Sequence, residues 1–206
     1  VTYGGSLEPR PISQHASLFE LSMAMEAGQV QLLLILGNNP VFTAPADVKF
    51  TERLAKVGLV VYHSLYRDET SEFAHWNIPD THPLETWGDP RAYDGTVTLM
   101  QPLIAPLYDA HSAHEVLATL TSQPTRKTLE LVKDYWTRGF GGATGWTVRN
   151  AAGETFPNAD AFWKQAVHDG FIRGTGTTSG GQATPFKAAP AAPPTAPGAA
   201  AARVCT

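Results

Sequence analysis

The sequence is poor in cysteine, in charge of one sign and in long hydrophobic runs, and each shortage excludes a class of protein. Its single cysteine, Cys205, excludes an internal disulfide, a CxxC zinc site and a four-cysteine iron–sulfur motif. Any redox centre must therefore be held elsewhere. A formal net charge of −4 without a basic stripe argues against DNA or RNA as a partner.

Both ends of the chain differ in composition from its middle. Residues 1–14 lack the basic and apolar regions of a signal peptide, and we expect an extended arm there. From residue 176 the chain turns to Thr, Gly and Ser and then to Ala and Pro, which bury too little apolar surface to offset their ordering entropy, so residues 176–206 are predicted to be a disordered tail. No apolar run reaches the roughly 20 residues that cross a bilayer, so we expect no direct membrane span.

The middle of the chain alternates between helical and buried-strand patterns. The first helical pattern follows a Ser17–Glu20 capping box and stops at Gly28. The strand patterns are unalternating aliphatic runs, typical of strands covered on both faces in parallel sheets. Strand, helix and strand in succession form a β–α–β unit, so the fold class is α/β with a mostly parallel sheet and flanking helices. The helical patterns cover residues 15–27 and 45–57, and the strand patterns cover residues 30–36 and 59–62.

The remaining patterns are shorter, and they predict further helices and one edge strand. After a loop-rich segment, an edge strand is expected to leave the sheet at Pro102. Ser112 and Glu115 have capping-box spacing, and Asn158 and Gly170 suit the start and end of a last helix. The predicted elements are a short helix at 68–75, an edge strand from residue 97, and helices at 113–122, 125–138 and 158–169.

A Gly-Asn-Asn-Pro turn, residues 37–40, follows the first strand pattern at its C-terminal end. In open α/β sheets ligands bind beyond those ends, and the amides of such a turn can hold a phosphate. Glycine and asparagine also tolerate the positive φ of an ordinary turn. The stretch therefore fits a phosphate-binding turn or a purely structural one.

Acidic residues follow the second strand pattern. In dinucleotide-binding folds an acidic residue at the end of the second strand takes the ribose hydroxyls. Here that place holds His63 and Ser64, and Asp68 and Glu69 come a turn later. A structural alternative is that Asp68 caps its short helix while Glu69 is a solvated charge.

The seven histidines raise the question of a metal site. His111 and His114 are spaced to share a helical face, and His63, His75 and His82 lie on neighbouring loops. Without an HExxH motif or a cysteine ligand beside them, we predict no metal site. Without a GxSxG elbow, we predict no catalytic residue either.

Four segments together resemble the molybdopterin oxidoreductase family. The likeness extends over about residues 15 to 175 and is greatest to the molybdopterin-oxidoreductase-like half of the iron–sulfur B subunit of alternative complex III, the bacterial quinol:cytochrome c oxidoreductase. The segments are LLLILGNNPVFTAPAD at 32–47, the stretch from DETSEFAHWNIP to TLMQPLIAPLY at 68–108, SAHEVLATL at 112–120 and FWKQAVHDGFIRGT at 162–175.

The resemblance implies a Rossmann-like domain over residues 15–123 and a helical extension at 124–175. In cofactor-bearing relatives a GxNP turn and a TET-like turn lie beside a molybdopterin guanine dinucleotide. The corresponding candidate cofactor-binding residues of this chain are Gly37, Asn38, Asn39, Pro40, Asp68, Glu69 and Thr70.

The segment 78–101 resembles the stretch that lines the same crevice, but it departs from the family pattern. Where relatives have Asn and an Arg-containing EGR, this chain has Tyr93, Asp94, Gly95 and Thr96. A pyrophosphate would lose a bidentate arginine partner and gain a carboxylate neighbour. We therefore expect that the cofactor has been lost and that the Gly-Asn-Asn-Pro turn is retained without its ligand.

The resemblance implies a non-catalytic scaffold domain of a respiratory electron-transfer subunit, acting as part of an oxidoreductase complex. It carries no cofactor of its own, and iron–sulfur clusters are expected in the missing part of the parent subunit. Its partners are expected to be other subunits of a membrane-bound bacterial complex at the periplasmic face of the cytoplasmic membrane. Because the region for a molybdenum ligand and the family's C-terminal cap are missing, we expect an excised piece or a divergent stand-alone remnant.

Two other functions stay open. The first is the guanine-dinucleotide-binding domain of an active molybdenum oxidoreductase, with Gly37, Asn39, Glu69 and Thr70 around the nucleotide. The second is a free-standing module that binds a small anion at the amides of residues 37–41.

Overall fold

The computed structural model describes residues 13–138, 149–150 and 152–176 and the backbone of 203–205. The helices are α1 (Gln14–Glu26), α2 (Pro40–Thr43), α3 (Phe50–Leu54), α4 (Ala113–Leu120), α5 (Thr128–Arg138) and α6 (Ala159–Asp169). The strands are β1 (Leu32–Leu36), β2 (Leu59–Ser64), β3 (Trp76–Pro79), β4 (Val97–Thr98), β5 (Phe171–Ile172) and β6 (Arg203–Cys205), with 3₁₀ turns at Ala46–Val48 and Thr70–Phe73.

The described chain forms two compact units. The sheet unit comprises residues 13–82, 106–116 and 203–205, and the helical unit comprises residues 83–105, 117–138 and the described residues from 149 to 176. The sequence predicts a boundary at residues 123 and 124, whereas the structure groups residues 83–105 with the later helices. The reason is that Val97 and Leu99 share a buried core with α5 and α6.

The sheet unit is built on a parallel sheet with the strand order β3-β2-β1-β6. This confirms the predicted α/β class. The four residues of β3 are too few to show a strand period, which is why no strand is predicted for them. The predicted arm and most of the predicted tail fall outside the described residues, but β6 within that tail pairs with β1.

One face of this sheet, the first face, carries the main core. Because β1, β2 and β3 follow one another in one direction, right-handed connections place both crossovers on the same face. The packing agrees, since residues of α1 and α3 and Ala74, which precedes β3, join one apolar cluster. Its buried members are Leu21, Ala24, Met25, Val30, Leu33, Ile35, Val48, Phe50, Leu54, Val57, Val60 and Tyr62.

The opposite face, the second face, has a smaller cluster. Val116 of α4 packs with Leu34 and Leu36, and Val61 and Ile78 contact them from the side. The aliphatic runs predict strands covered on both faces. In β1 four of five residues are buried, but in β2 only three of six are, and the strand begins with an exposed leucine.

The predicted helix at 45–57 is interrupted in the structure. Lys49 adopts a left-handed conformation with φ +50°, which separates the 3₁₀ turn at Ala46–Val48 from α3. The helical spacing of its apolar residues is nevertheless reflected in the packing, because Val48, Leu54 and Val57 are buried. The predicted helix at 68–75 is likewise only a 3₁₀ turn at Thr70–Phe73.

The helix ends depend on caps, most of which the sequence predicts. Asn158 Oδ1 accepts a hydrogen bond from Ala161 N at 2.8 Å, and Gly170 ends α6 with φ +76°. Ser112 Oγ accepts from Glu115 N at 3.2 Å, as predicted. The Ser17–Glu20 capping box is wrong, because α1 already begins after Ser13 and Ser17 lies inside it.

The helical unit packs α5 and α6 against a two-stranded antiparallel sheet. Val97 pairs with Ile172 and Thr98 pairs with Phe171. The predicted edge strand from residue 97 therefore belongs to this separate sheet, and its placement at the edge of the parallel sheet is wrong, because its partner is more than seventy residues away along the chain. None of the helices in the described part of the chain is long and apolar enough to cross a membrane.

The first-face core makes a direct prediction for stability. Leu33 is fully buried at the centre of that core. We expect Leu33→Ala to lower the free energy of unfolding by about 2–5 kcal/mol, because it removes buried contacts and leaves a cavity. Chemical denaturation followed by circular dichroism measures this loss. Leu59→Ala, at a position that is 38% exposed, serves as the control and should cost less than about 1 kcal/mol; equal losses would contradict this description of the core.

Candidate functional site

The carboxyl ends of β1 and β2 lie side by side, with Leu36 opposite His63. The chain leaves β1 through Gly37, whose N–H donates to the His63 carbonyl at 2.8 Å. Gly37 has φ +66°, a conformation that favours glycine, although no atom lies within 4 Å of the place a Cβ would take. Backbone conformation and not lack of space therefore requires glycine here.

Asn39 begins α2 with its backbone. Its carbonyl accepts hydrogen bonds from the N–H groups of Phe42 at 3.2 Å and Thr43 at 3.0 Å, and from Thr43 Oγ1 at 2.9 Å. Pro40 occupies the first helical position, where a missing N–H costs nothing. The Asn39 side chain does not cap α2, so it is available to the neighbouring loop.

Asp68 organises the loop that follows β2. Its Oδ1 accepts from Thr70 N at 3.1 Å and from Ser71 N at 3.3 Å, and its Oδ2 accepts from the Tyr62 hydroxyl at 2.6 Å. The carboxylate therefore caps the 3₁₀ turn and ties it to β2. This is the structural role that the sequence left open for Asp68.

Asn39, Glu69 and Thr70 form one hydrogen-bonded group, which we call the Asn39 cluster. Asn39 Nδ2 donates to Glu69 Oε2 at 2.7 Å, and Thr70 Oγ1 donates to Asn39 Oδ1 at 2.7 Å. The same Thr70 oxygen accepts from Val41 N at 3.1 Å. The structure thus brings together the two turns that the sequence singled out. Asn38 is exposed and takes no part in these hydrogen bonds.

The electrostatics of this edge are set by carboxylates. The hydrogen bond from Asn39 lowers the pKa of the exposed Glu69 carboxyl below its usual value. Burial, followed by the hydrogen bond to Asp68, raises the pKa of Tyr62 to about 12. Neither lysine nor arginine donates to Asn39, Asp68 or Glu69 within the described chain. An anionic ligand would therefore meet negative charge without a fixed cation.

The backbone amides of the turn are partly engaged already. Pro40 has no N–H, the Gly37 N–H donates to His63, and the Val41 N–H donates to Thr70. A phosphate cradle needs several free N–H groups that converge on one anion. Between residues 37 and 41, only Asn38 and Asn39 keep N–H groups outside these bonds. The turn therefore fits a pyrophosphate poorly.

A second polar group at the same edge of the sheet surrounds His63, and the sequence did not predict it. His63 is fully buried, and its Nε2 lies 2.6 Å from the His111 carbonyl oxygen and 3.4 Å from Asp80 Oδ1. Burial raises the pKa of the Asp80 carboxyl. The only sequence signal was the position of His63 near the end of a strand, which does not reveal partners that follow β3.

The other histidines do not assemble into a metal site in the described residues. His75 Nδ1 accepts from Val60 N at 3.0 Å, and His111 Nδ1 lies 3.4 Å from Glu115 Oε2. Across the described ranges, no group of three or more His, Cys, Asp or Glu side chains is placed to hold a metal ion. These two histidines therefore act as hydrogen-bonding partners within the fold.

The segment that departs from the family pattern lies in the helical unit. Asp94 accepts from Thr96 N and from Thr96 Oγ1, both at 2.9 Å, and these bonds lower its pKa. Gly95 has φ +87°, and Tyr93 is 87% exposed. Residues 93–96 therefore close a turn on themselves around a carboxylate, where relatives are expected to have an arginine.

Comparisons with known proteins give a partial match in sequence. No protein-family model matches the chain. It is 26% identical over 115 residues to the alpha subunit of NADPH-Fe(3+) oxidoreductase from two strains of Geobacter sulfurreducens, DL-1 / KN400 and PCA. The match covers 56% of this chain and 14% of those relatives. It supports the molybdopterin oxidoreductase-like relationship that the motifs predict, without reaching a particular subunit.

A solved structure also resembles the chain. Acetylene hydratase from Pelobacter acetylenicus matches with a TM-score of 0.49 and 17% identity, over 75% of this chain and 25% of that one. The chain thus spans a small part of the length of the known proteins that it matches.

The Asn39 cluster predicts an unequal effect of two similar substitutions. Thr70→Val keeps the side-chain volume but leaves Asn39 Oδ1 and Val41 N without their partner, and Thr70 is fully buried. We expect a loss of about 1–3 kcal/mol in the free energy of unfolding. Thr43→Val, which removes an exposed hydroxyl, is the control and should cost about 0.5 kcal/mol or less. Similar losses in urea denaturation would show that the cluster is not a structural unit.

Tyr62 predicts a specific alkaline instability. The folded protein keeps the phenol proton up to about pH 12, whereas the ordinary pKa is 10.0. The contribution of Tyr62 to stability is therefore complete below about pH 10 and declines as the pH rises towards about 12. Urea denaturation between pH 9 and 11 should show wild type losing stability relative to Tyr62→Phe above about pH 10. Parallel curves for the two proteins would refute the raised pKa.

Proposed function

We propose that the chain is a non-catalytic scaffold domain of a respiratory electron-transfer subunit of the alternative complex III type. In this role the strand-end turn of a nucleotide-binding fold is kept, but it holds no molybdenum cofactor. Electrons pass through iron–sulfur clusters held elsewhere in the parent subunit. The domain supports the assembly of a membrane-bound complex at the periplasmic face of the cytoplasmic membrane.

The observation that carries this proposal is that the protein itself already occupies most of the hydrogen-bonding groups of the turn. Both ends of the Asn39 carboxamide are bonded to Glu69 and Thr70 at 2.7 Å. The amides of Gly37 and Val41 are engaged as well. A nucleotide would have to break these bonds and replace each of them, which reduces its net gain on binding.

Charge supports the same conclusion. Asp68 and Glu69 place two carboxylates on the loop beside the turn, and the hydrogen bond from Asn39 lowers the pKa of Glu69 further below neutral pH. In the helical unit, Asp94 stands where relatives are expected to carry an arginine. A pyrophosphate is bound best by bidentate arginine and by converging amides, and neither is supplied by these residues.

Exposed apolar side chains support a role in assembly. In the sheet unit several large apolar side chains are two thirds or more exposed, and where such side chains lie together they form the kind of surface that other subunits cover. They are Phe42 at 73%, Tyr66 at 73%, Trp76 at 67%, Leu107 at 70% and Tyr108 at 81%.

A second function is favoured by one observation. The curated relatives are named as an oxidoreductase alpha subunit, which suits the guanine-dinucleotide-binding domain of an active molybdenum enzyme. In that case Gly37, Asn39, Glu69 and Thr70 would surround the nucleotide. Asn39 and Glu69 would then have to exchange their mutual hydrogen bond for bonds to the ligand.

Calorimetry with GDP separates the two functions. For the scaffold domain we expect no saturable binding with a Kd below about 1 mM, because the turn is engaged and acidic. Stoichiometric, guanine-specific binding that Asn39→Ala abolishes would overturn the proposal. ADP is the control for non-specific nucleotide binding.

Metal analysis of the purified full-length parent protein is the companion measurement. The scaffold function predicts iron without molybdenum. Molybdenum in a one-to-one ratio with the parent would favour the enzyme instead.

A further inference from the structure

The second face of the parallel sheet is covered over only part of its length. Helix α1 packs on the first face, and so do both crossovers, the first of which contains α3. On the second face, Val116 of α4 packs on Leu34 and Leu36 towards the carboxyl ends of the strands. Parallel sheets normally bury both faces under helices, so the amino-terminal part of this face lacks a covering element among the described residues of the sheet unit.

Four apolar residues line that part of the face, and we call them the Trp76 patch; one of them, Val61, also borders the cluster under α4. The strand register places Leu32 beside Leu59, and Val61 beside Trp76. Because paired residues of parallel strands point to the same side and residues two apart share a face, all four belong to the second face. Trp76 is 67% exposed and Leu59 is 38% exposed, while Leu32 and Val61 are half-buried.

The width of the patch matches one helix. Three strands at about 4.8 Å spacing span roughly 10 Å, which is about the diameter of an α-helix with its side chains. Tryptophan is also one of the side chains that contribute most to binding at protein interfaces, and here it lies beside leucine and valine. The patch therefore suits the apolar stripe of an amphipathic helix.

Charge indicates which kind of helix fits. The described residues of the sheet unit, 13–82, 106–116 and 203–205, contain ten Asp or Glu and five Lys or Arg residues. The described residues of the helical unit contain eight of each kind. A helix with basic flanks is therefore attracted to the sheet unit, whereas a second copy of this acidic unit is repelled.

We propose that the Trp76 patch docks an amphipathic, basic-flanked helix of a partner subunit. The inference rests on the proposed scaffold function and names the surface that the scaffold uses. The helix completes the cover of the second face that α4 begins.

A designed peptide tests the chemistry of the patch. The probe is an 18-residue helix with leucines at i, i+3, i+4 and i+7 and lysines on both flanks. We expect saturable binding in calorimetry that is weakened about tenfold or more by Trp76→Ser. Tyr66→Ser is the matched control, because Tyr66 is 73% exposed and lies outside the patch, and it should leave the affinity unchanged.

Two further peptides separate the contributions of shape and charge. A peptide of the same composition with its leucines spread around the helix should bind at least about tenfold more weakly. A version with glutamates in place of the lysines should also bind more weakly, and the difference should shrink at high salt. Equal binding of all three peptides, or equal loss in the two variants, overturns the proposal.

Cross-linking in the native complex tests the source of the helix. With p-benzoyl-phenylalanine in place of Trp76 in the full-length parent, we expect a light-induced cross-link to a helix of another subunit. A cross-link within the same polypeptide or to a second copy overturns the proposal. GDP calorimetry does not depend on this surface, so failure of docking and failure of the scaffold function remain distinguishable.

Discussion

The parallel pairing of β1 with β2 is the constraint on which the rest of the structure depends. It places Leu36 beside His63, so the two strands end at the same edge and their following loops must meet. Asn39 and Glu69, thirty residues apart, are hydrogen-bonded for that reason. The bond from Gly37 N–H to the His63 carbonyl extends the pairing one residue beyond the strand. Without this register, the polar residues of the two loops would not lie within hydrogen-bonding distance of one another.

The polar residues at this edge make hydrogen bonds that stabilise the fold. Asp68 holds a 3₁₀ turn and receives the Tyr62 hydroxyl, and Thr70 joins two loops with a single buried oxygen. These roles account for the polar residues without a bound molecule. Replacing Asp68 or Thr70 would leave buried polar groups unpaired, which is a structural reason to keep both residues.

The sequence predicted those parts of the fold that depend on local patterns. The aliphatic runs located β1 and β2, and Asn158 and Gly170 marked both ends of α6, because strand burial and helix caps leave signals within a few residues. Features that depend on distant partners were missed. The strand β3 has only four residues, β4 finds its partner more than seventy residues later, and the burial of His63 depends on a carbonyl 48 residues away. At the candidate site the structure brings together Asn39, Glu69 and Thr70, which the sequence singled out. The use of the amides of Gly37 and Val41 by the protein itself was not visible in the sequence.

The strand order has one more consequence, which concerns self-association. The parallel sheet ends at β3, a strand of four residues that includes Pro79, which has no N–H to donate. Such a short border offers few backbone groups to an extended segment of another molecule, and proline interrupts any ladder that begins there. The exposed indole of Trp76 therefore lies on an edge strand that pairs poorly with strands of other molecules. This apolar side chain can be exposed without promoting aggregation by intermolecular strand pairing.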